Sequence, residues 1–271
     1  MRLLLDPGAC RTLDDVLRAG EAAWTHGLDG VVLGATDELP APLVSAAALA
    51  ARVPDILLAV EVAAGDRHPI ELAEEAVITD TMAGGRLILA ASPAPGFEER
   101  YGETLDLLRL GFAARPFRFE GEHWVVPGGI PQNVHNVEKR IRVTPTPPRV
   151  RVELWGAGSG REEALARGLG HLAAESDSDE ALAASWAAVD GSPWSVGLPR
   201  GRRLTWRGAE DALRRLRGGR DAFGQDWAAV TAPAEALEAL AHVVRPRIQL
   251  DRLPPGLEQH WDETRPWLLP G

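Results

Sequence analysis

Short apolar runs alternate with stretches of helical periodicity along most of the chain. Residues 2–6 read as a strand. From 12 to 26 apolar side chains recur at helical spacing (Leu13, Val16, Leu17, Ala23, Trp24), with Thr12 as the cap and Asp14 and Asp15 in the first turn. Residues 30–33 form a second strand, 42–52 an alanine-rich helix and 55–63 a third strand. The helix at 69–82 opens on a proline and stops at Gly84-Gly85, the residue types suited to those two ends. Residues 86–91 and 97–113 give a fourth strand and helix.

The rhythm then breaks. Residues 117–126 predict a hairpin turning at Glu120-Gly121-Glu122, and 127–149 carry five prolines and little periodicity. It resumes with a strand at 150–155 and a helix at 162–168, then a short strand at 171–174 and a helix at 179–189. A strand at 194–198 with a helix at 209–216, and a strand at 227–230 with a helix at 234–244, complete the series. Eight strand–helix pairs with right-handed crossovers favour a (β/α)₈ TIM barrel over a doubly wound open sheet. The barrel is expected over residues 1–245, with 117–149 as a hairpin and proline-rich excursion that would act as a lid. Residues 246–271, rich in proline and tryptophan, read as a tail packed on the outside.

Composition narrows the function. A chain of 271 residues buries a large core, and its formal charge of −10, with both signs interspersed, argues against a nucleic-acid groove. The arginine clusters Arg200-Gly201-Arg202-Arg203 and Arg214-Arg215-Leu216-Arg217 are flanked by acids and read as solvated faces. Cys10 is the single cysteine, which excludes a disulfide framework. The seven histidines are scattered without an i, i+4 pair, so no metal site is expected. No run approaches the ~20 apolar residues of a membrane span, and the first residues are too short on apolar length for a signal peptide, so a cytoplasmic protein is expected.

One stretch carries most of the chemistry: Trp155-Gly156-Ala157-Gly158-Ser159-Gly160-Arg161, between the fifth strand and its helix. Glycines admit close backbone approach, and a helix start offers unpaired amides and a partial positive charge. Strand, glycine loop and helix start together make a phosphate cradle; the alternative is a tight βα turn. The spacing fits neither a P-loop nor a dinucleotide fingerprint. Three polar residues sit at strand ends. Glu61 interrupts an apolar strand, where it would either face the mouth and move a proton or pair with Arg67. Asp6 would line the mouth or cap the turn at Pro7-Gly8, and Ser92 would meet a ligand edge or serve turn chemistry.

Four stretches together resemble the bacterial luciferase-like flavin monooxygenases. They are Arg67-His68-Pro69 through Gly84-Gly85-Arg86-Leu87, the hairpin Phe119-Glu120-Gly121-Glu122-His123-Trp124, the approach Thr144-Pro145-Thr146-Pro147-Pro148-Arg149-Val150, and the glycine loop. The resemblance implies a (β/α)₈ barrel that binds reduced FMN or a deazaflavin at the C-terminal strand ends. It also implies a homodimer or a heterodimer with a related barrel, and a flavin reductase as supplier. With oxygen, such a protein oxidises a small organic substrate. The flavin phosphate then falls on Gly156, Ala157, Gly158, Ser159 and Gly160, with Ser92 at the flavin edge and Glu61 and Asp6 as catalytic acids. Two departures stand out. The end of the second strand reads Gly34-Ala35-Thr36 where many members have a histidine, and Pro93 stands where an arginine would reach the phosphate. These favour an alternative, a degenerate flavin- or metabolite-binding barrel or a non-catalytic subunit.

Overall fold

The computed structural model describes residues 1–8, 10–36, 38–39, 41–128, 139–147, 152–193 and 195–251. Its first half runs β1 (Arg2–Asp6), α1 (Leu13–Thr25), β2 (Gly30–Leu33), α2 (Pro42–Arg52), β3 (Leu57–Ala64), α3 (Pro69–Met82), β4 (Leu87–Pro93) and α4 (Tyr101–Phe112). A two-stranded hairpin follows, β5 (Phe119–Glu120) and β6 (Val125–Val126). The second half holds β7 (Glu153–Ala157), α5 (Arg161–Ala166), β8 (Gly170–Ala173), α6 (Asp179–Ala187), β9 (Arg200–Thr205), α7 (Ala209–Phe223) and β10 (Trp227–Thr231). It ends in a helical run containing α8 (Leu237–Ala239) and α9 (Arg245–Leu250).

Eight parallel strands close in the order β1-β10-β9-β8-β7-β4-β3-β2. Alternation along each strand sorts the side chains. Leu4, Val32, Ala59, Ile88, Trp155, Leu172, Trp227 and Ala229 pack together inside the barrel, and the intervening positions pack against the helices. Trp155 meets Trp227 edge-on at 4.8 Å, and the Arg2 guanidinium lies 4.7 Å over Trp227, so the N-terminal end of the barrel is plugged. Large residues at the bottom leave the opposite end for small and polar ones.

Local chemistry explains the helix starts. Thr12 and Asp15 form a reciprocal capping box at α1, and His68 Nδ1 accepts from the Ile70 amide ahead of α3. The hairpin docks through Glu103 of α4, whose carboxylate accepts from the amides of Glu122 (2.6 Å), His123 and Trp124 (both 3.0 Å). Of the expected lid, residues 129–138 and 148–149 lie outside the described residues.

Two expectations need correction. No strand forms at 195–198, where the chain turns through Ser195 and Gly197; Trp194 lies outside the described residues. The strand is Arg200–Thr205 instead, inside the arginine cluster read as a solvated face. Arg200 stacks 4.4 Å over Trp186 and pairs with Asp190; Arg202 pairs with Asp179. Long aliphatic stems let arginines occupy a barrel strand while their heads find carboxylates. The expectation holds for Arg214, which is exposed on α7. At the C-terminus, α9 runs to Leu250 and buries Ile248 in the core; residues 252–271 of the expected tail are outside the described residues.

Candidate functional site at the barrel mouth

The C-terminal strand ends bring together residues far apart in sequence. On the alternation that places Leu4, Ala59 and Ala229 inside, Asp6, Glu61 and Arg203 also point inward, one level nearer the mouth on β1 and β3. The Arg203 guanidinium joins them: one amino group binds Asp6 Oδ2 and the other binds Glu61 Oε2 at 2.5 Å. Arg203 is largely buried, which works against its charge. The hydrogen bond and charge of Glu61, with the charge of Asp6, outweigh that and hold it above the ordinary arginine range.

Asp6 therefore does both things the sequence allowed. It faces the mouth, and its Oδ1 accepts from the Gly8 amide at 2.9 Å across the turn. Glu61 also faces the mouth, but its partner is not Arg67. Arg67 is taken by Glu75, with both carboxylate oxygens engaged. Sequence reasoning missed Arg203, because nothing in the run around it marks a strand. In the structure Arg203 and Thr205 alternate with buried Arg202 and Leu204, an alternation that burial shows and the residue types do not.

Around this trio the floor is made of small residues. Gly34 just past β2, Ala63 and Ser92 next to last in β3 and β4, and Ala157 at the end of β7 fall on the inward parity. A Cβ at Gly34 would have Glu61 Oε2, 3.7 Å away, as its one near neighbour. Ser92 donates a long hydrogen bond of 3.4 Å to the Val62 carbonyl. Pro93 pairs alongside Ala64 and carries no charge to the mouth.

The glycine loop closes one side. Its three glycines differ in what they do. A Cβ on Gly156 would sit 2.3 Å from the Ala164 Cβ, and one on Gly160 would sit 2.5 Å from the Tyr101 ring, so both are demanded by internal packing. Tyr101 is fixed there by its hydroxyl, which donates to the Ala91 carbonyl at 2.8 Å; burial pushes its ionisation up. Gly158 is different. Its φ is +57°, and its Cβ direction is open except for the Ser92 Cβ at 3.7 Å. Ala157 and Gly160, the residues before the 3₁₀ turn and before α5, have no side-chain oxygen to cap the following amides. His171 on β8 lies 3.1 Å from the Gly158 carbonyl and Arg161 pairs with Asp177 at 3.0 Å, so the loop is braced from both sides. The structure thus brings Ser92 to the loop and joins Glu61 to Asp6 in a separate cluster.

Among the described residues no group of His, Cys, Asp and Glu could hold a metal ion, and no helix is long and apolar enough to cross a membrane. A cavity of about 350 Å³ opens at the opposite end, between the C-terminus of α4 and the starts of β7, β8 and β9. Function in barrels of this kind sits at the C-terminal face, and the ion-paired trio and the open loop are both there.

The family model for luciferase-like monooxygenases matches residues 3–183. The chain belongs to the luciferase-like monooxygenase family. Solved luciferase-like barrels superpose closely despite low identity. A monooxygenase from Streptomyces bottropensis is 15% identical, with 92% of this chain and 100% of that one covered and a TM-score of 0.70. The oxygenating constituent of 3,6-diketocamphane monooxygenase from Pseudomonas putida, solved in complex with FMN, is 15% identical, with 91% and 98% covered and a TM-score of 0.67. EDTA monooxygenase from Chelativorans sp. BNC1 is 16% identical, with 94% and 95% covered and a TM-score of 0.65. No curated protein matches the sequence. At these identities the solved structures establish the luciferase-like fold, and residue roles rest on the geometry above.

Proposed function

We propose that this luciferase-like barrel is a flavin-dependent monooxygenase that oxidises a small organic substrate at the mouth, with reduced FMN or a deazaflavin supplied by a separate reductase. The observation that carries the reading is the open Gly158 loop beside a floor of small side chains. The residues fit the cofactor: Gly158, Ser159 and Gly160 offer amides without side-chain caps to a phosphate. Gly34, Ala63, Ser92 and Ala157 leave room for a flat ring.

When bound, the flavin would supply the electrons and the activation of oxygen. The protein's part is binding, orientation and proton handling. Gly158, Ser159 and Gly160 would hold the phosphate, with Ala157 and Gly156 setting the loop's path and Ser92 at the flavin edge. Glu61 would accept or return a proton at Oε1, the oxygen left over by Arg203, while Asp6 fixes the other end of that arginine. The hairpin, docked on Glu103 at the start of α4, would shield one side of the mouth from water. Exposed Val44, Ile78 and Met82 on the neighbouring helices α2 and α3 support assembly as a dimer.

Two residues favour the second reading, a barrel that binds without turnover: Gly34 has no side chain at the end of β2, and Pro93 brings no cation to the phosphate. A titration separates the two. Absorbance is followed as the protein is titrated with FMN, a deazaflavin and riboflavin, then repeated with Ser159→Glu, which sets a negative charge at the exposed loop tip. FMN is expected to bind at least tenfold tighter than riboflavin, and the variant to erase that preference. Saturable binding without substrate oxidation under a reductase and oxygen would favour the non-catalytic barrel. If no flavin binds, both flavin readings fall.

A further inference from the structure

We infer that the mouth selects a substrate carrying a cationic hydrogen-bond donor, such as a protonated aliphatic amine, and that Glu61 is the group that reads it. The inference rests on the mouth being the substrate site of the proposed monooxygenase. Three observations carry it.

The trio holds two carboxylates and one guanidinium, so the fixed charges leave one negative charge uncompensated. Both terminal amino groups of Arg203 are committed, one to Asp6 and one to Glu61. Asp6 is itself held by the Gly8 amide, so the arginine is clamped at the Asp6 end and is not offered to an anion. An anionic substrate would have to displace one of two carboxylates already in contact.

The acceptor capacity left over is on Glu61. Among the described residues its one partner is Arg203, through Oε2. A carboxylate has room for about four hydrogen bonds, so Oε1 and part of Oε2 stay available.

Glu61 borders usable space. Gly34 is exposed and lacks the Cβ that would stand 3.7 Å from Glu61 Oε2. A group entering over Gly34 meets a carboxylate whose direction is set by Arg203. Such a site rewards a donor, and rewards a charged donor more, because charge-assisted hydrogen bonds are stronger than neutral ones.

Calorimetric titration with three probes of one length tests this: hexylammonium, 1-hexanol and hexanoate, each with and without saturating FMN. Hexylammonium is expected to bind at least tenfold tighter than hexanol, with no measurable hexanoate binding. Glu61→Gln is expected to weaken hexylammonium at least tenfold and to leave hexanol nearly unchanged. Gly34→Val keeps the trio intact and fills the space, and is expected to weaken hexylammonium and hexanol alike. Both variants are first checked for an unaltered thermal transition, and either one suffices if the other fails to fold. Hexanoate binding as tightly as hexylammonium would overturn the inference, and so would a preference that survives Glu61→Gln or hexylammonium binding that Gly34→Val leaves unchanged. Failure to bind any probe would overturn it too. The flavin reading fails separately, if FMN neither binds nor alters the titrations while ammonium selectivity persists.

Discussion

His171 Nε2 lies 3.1 Å from the Gly158 carbonyl oxygen, so the strand after the glycine loop holds the loop's central glycine in place. Burial is the main reason the imidazole ionises at about 4; the charge of Arg161 adds to it, while the Gly158 hydrogen bond and Asp177 oppose. The ring is therefore neutral near pH 7, and Nε2–H donates to Gly158.

That depressed value makes stability depend on pH. The unfolded imidazole takes a proton near pH 6.5 and the folded one only near 4. Between these the unfolded chain binds more protons, so the contribution is complete above about pH 6.5 and is lost as pH falls toward 4. The full shift corresponds to about 3 kcal/mol. Urea midpoints measured from pH 7 to pH 4.5 are expected to fall more steeply for the wild type than for His171→Leu. Parallel curves would remove His171 as the cause.

The three loop glycines are expected to separate in stability. Gly156→Ala and Gly160→Ala each force a Cβ into Ala164 or the Tyr101 ring and should cost about 1–3 kcal/mol. Gly158→Ala meets open space and costs about 1 kcal/mol through its left-handed backbone alone. Equal losses at all three positions in denaturant melts would show that packing does not distinguish them.

These glycines also show what the sequence could reveal. The loop was legible as strand, turn and helix start, and α2 and α3 were legible to their terminal residues. Proline openings and a Gly-Gly stop are local signals, written where the element begins and ends. What Gly160 is for was not legible, since the answer is Tyr101, brought in by another helix, while Gly156 answers to Ala164 of the helix that follows the loop. The same reason hid β9. Its arginines look like surface until the carboxylates that receive them are placed, and Asp6 and Arg203 lie 197 residues apart. Glu61 was recognisable as an odd acid in an apolar strand, but the one arginine that the sequence offered it as an alternative to a role in the mouth was its neighbour Arg67. Closure of the barrel chose Arg203.

Tyr101→Phe is expected to cost about 1 kcal/mol. It removes the hydroxyl that donates to the Ala91 carbonyl at 2.8 Å and leaves the ring that packs on Gly160. Tyr101→Phe should therefore lower the thermal midpoint less than Gly160→Ala, a ranking that differential scanning calorimetry reads directly. The reverse order would mean that the hydrogen bond, and not the ring contact, positions the loop.

The Asp6–Arg203 pair offers the last test. Arg203→Met leaves two inward carboxylates facing each other without a cation between them. Such a loss costs more than a surface ion pair and, with the arginine side chain 26% exposed, less than a fully buried one, about 2 kcal/mol. Asp6→Asn keeps the shape of the turn and weakens its hold on Gly8. In a double-mutant cycle the two substitutions should couple by about 1–3 kcal/mol, because each removes the same contact. Raising salt should recover part of the Arg203→Met loss by screening Asp6 from Glu61. A coupling energy near zero would mean that Arg203 is held by packing alone, and its clamp on the direction of Glu61 would then have no electrostatic basis.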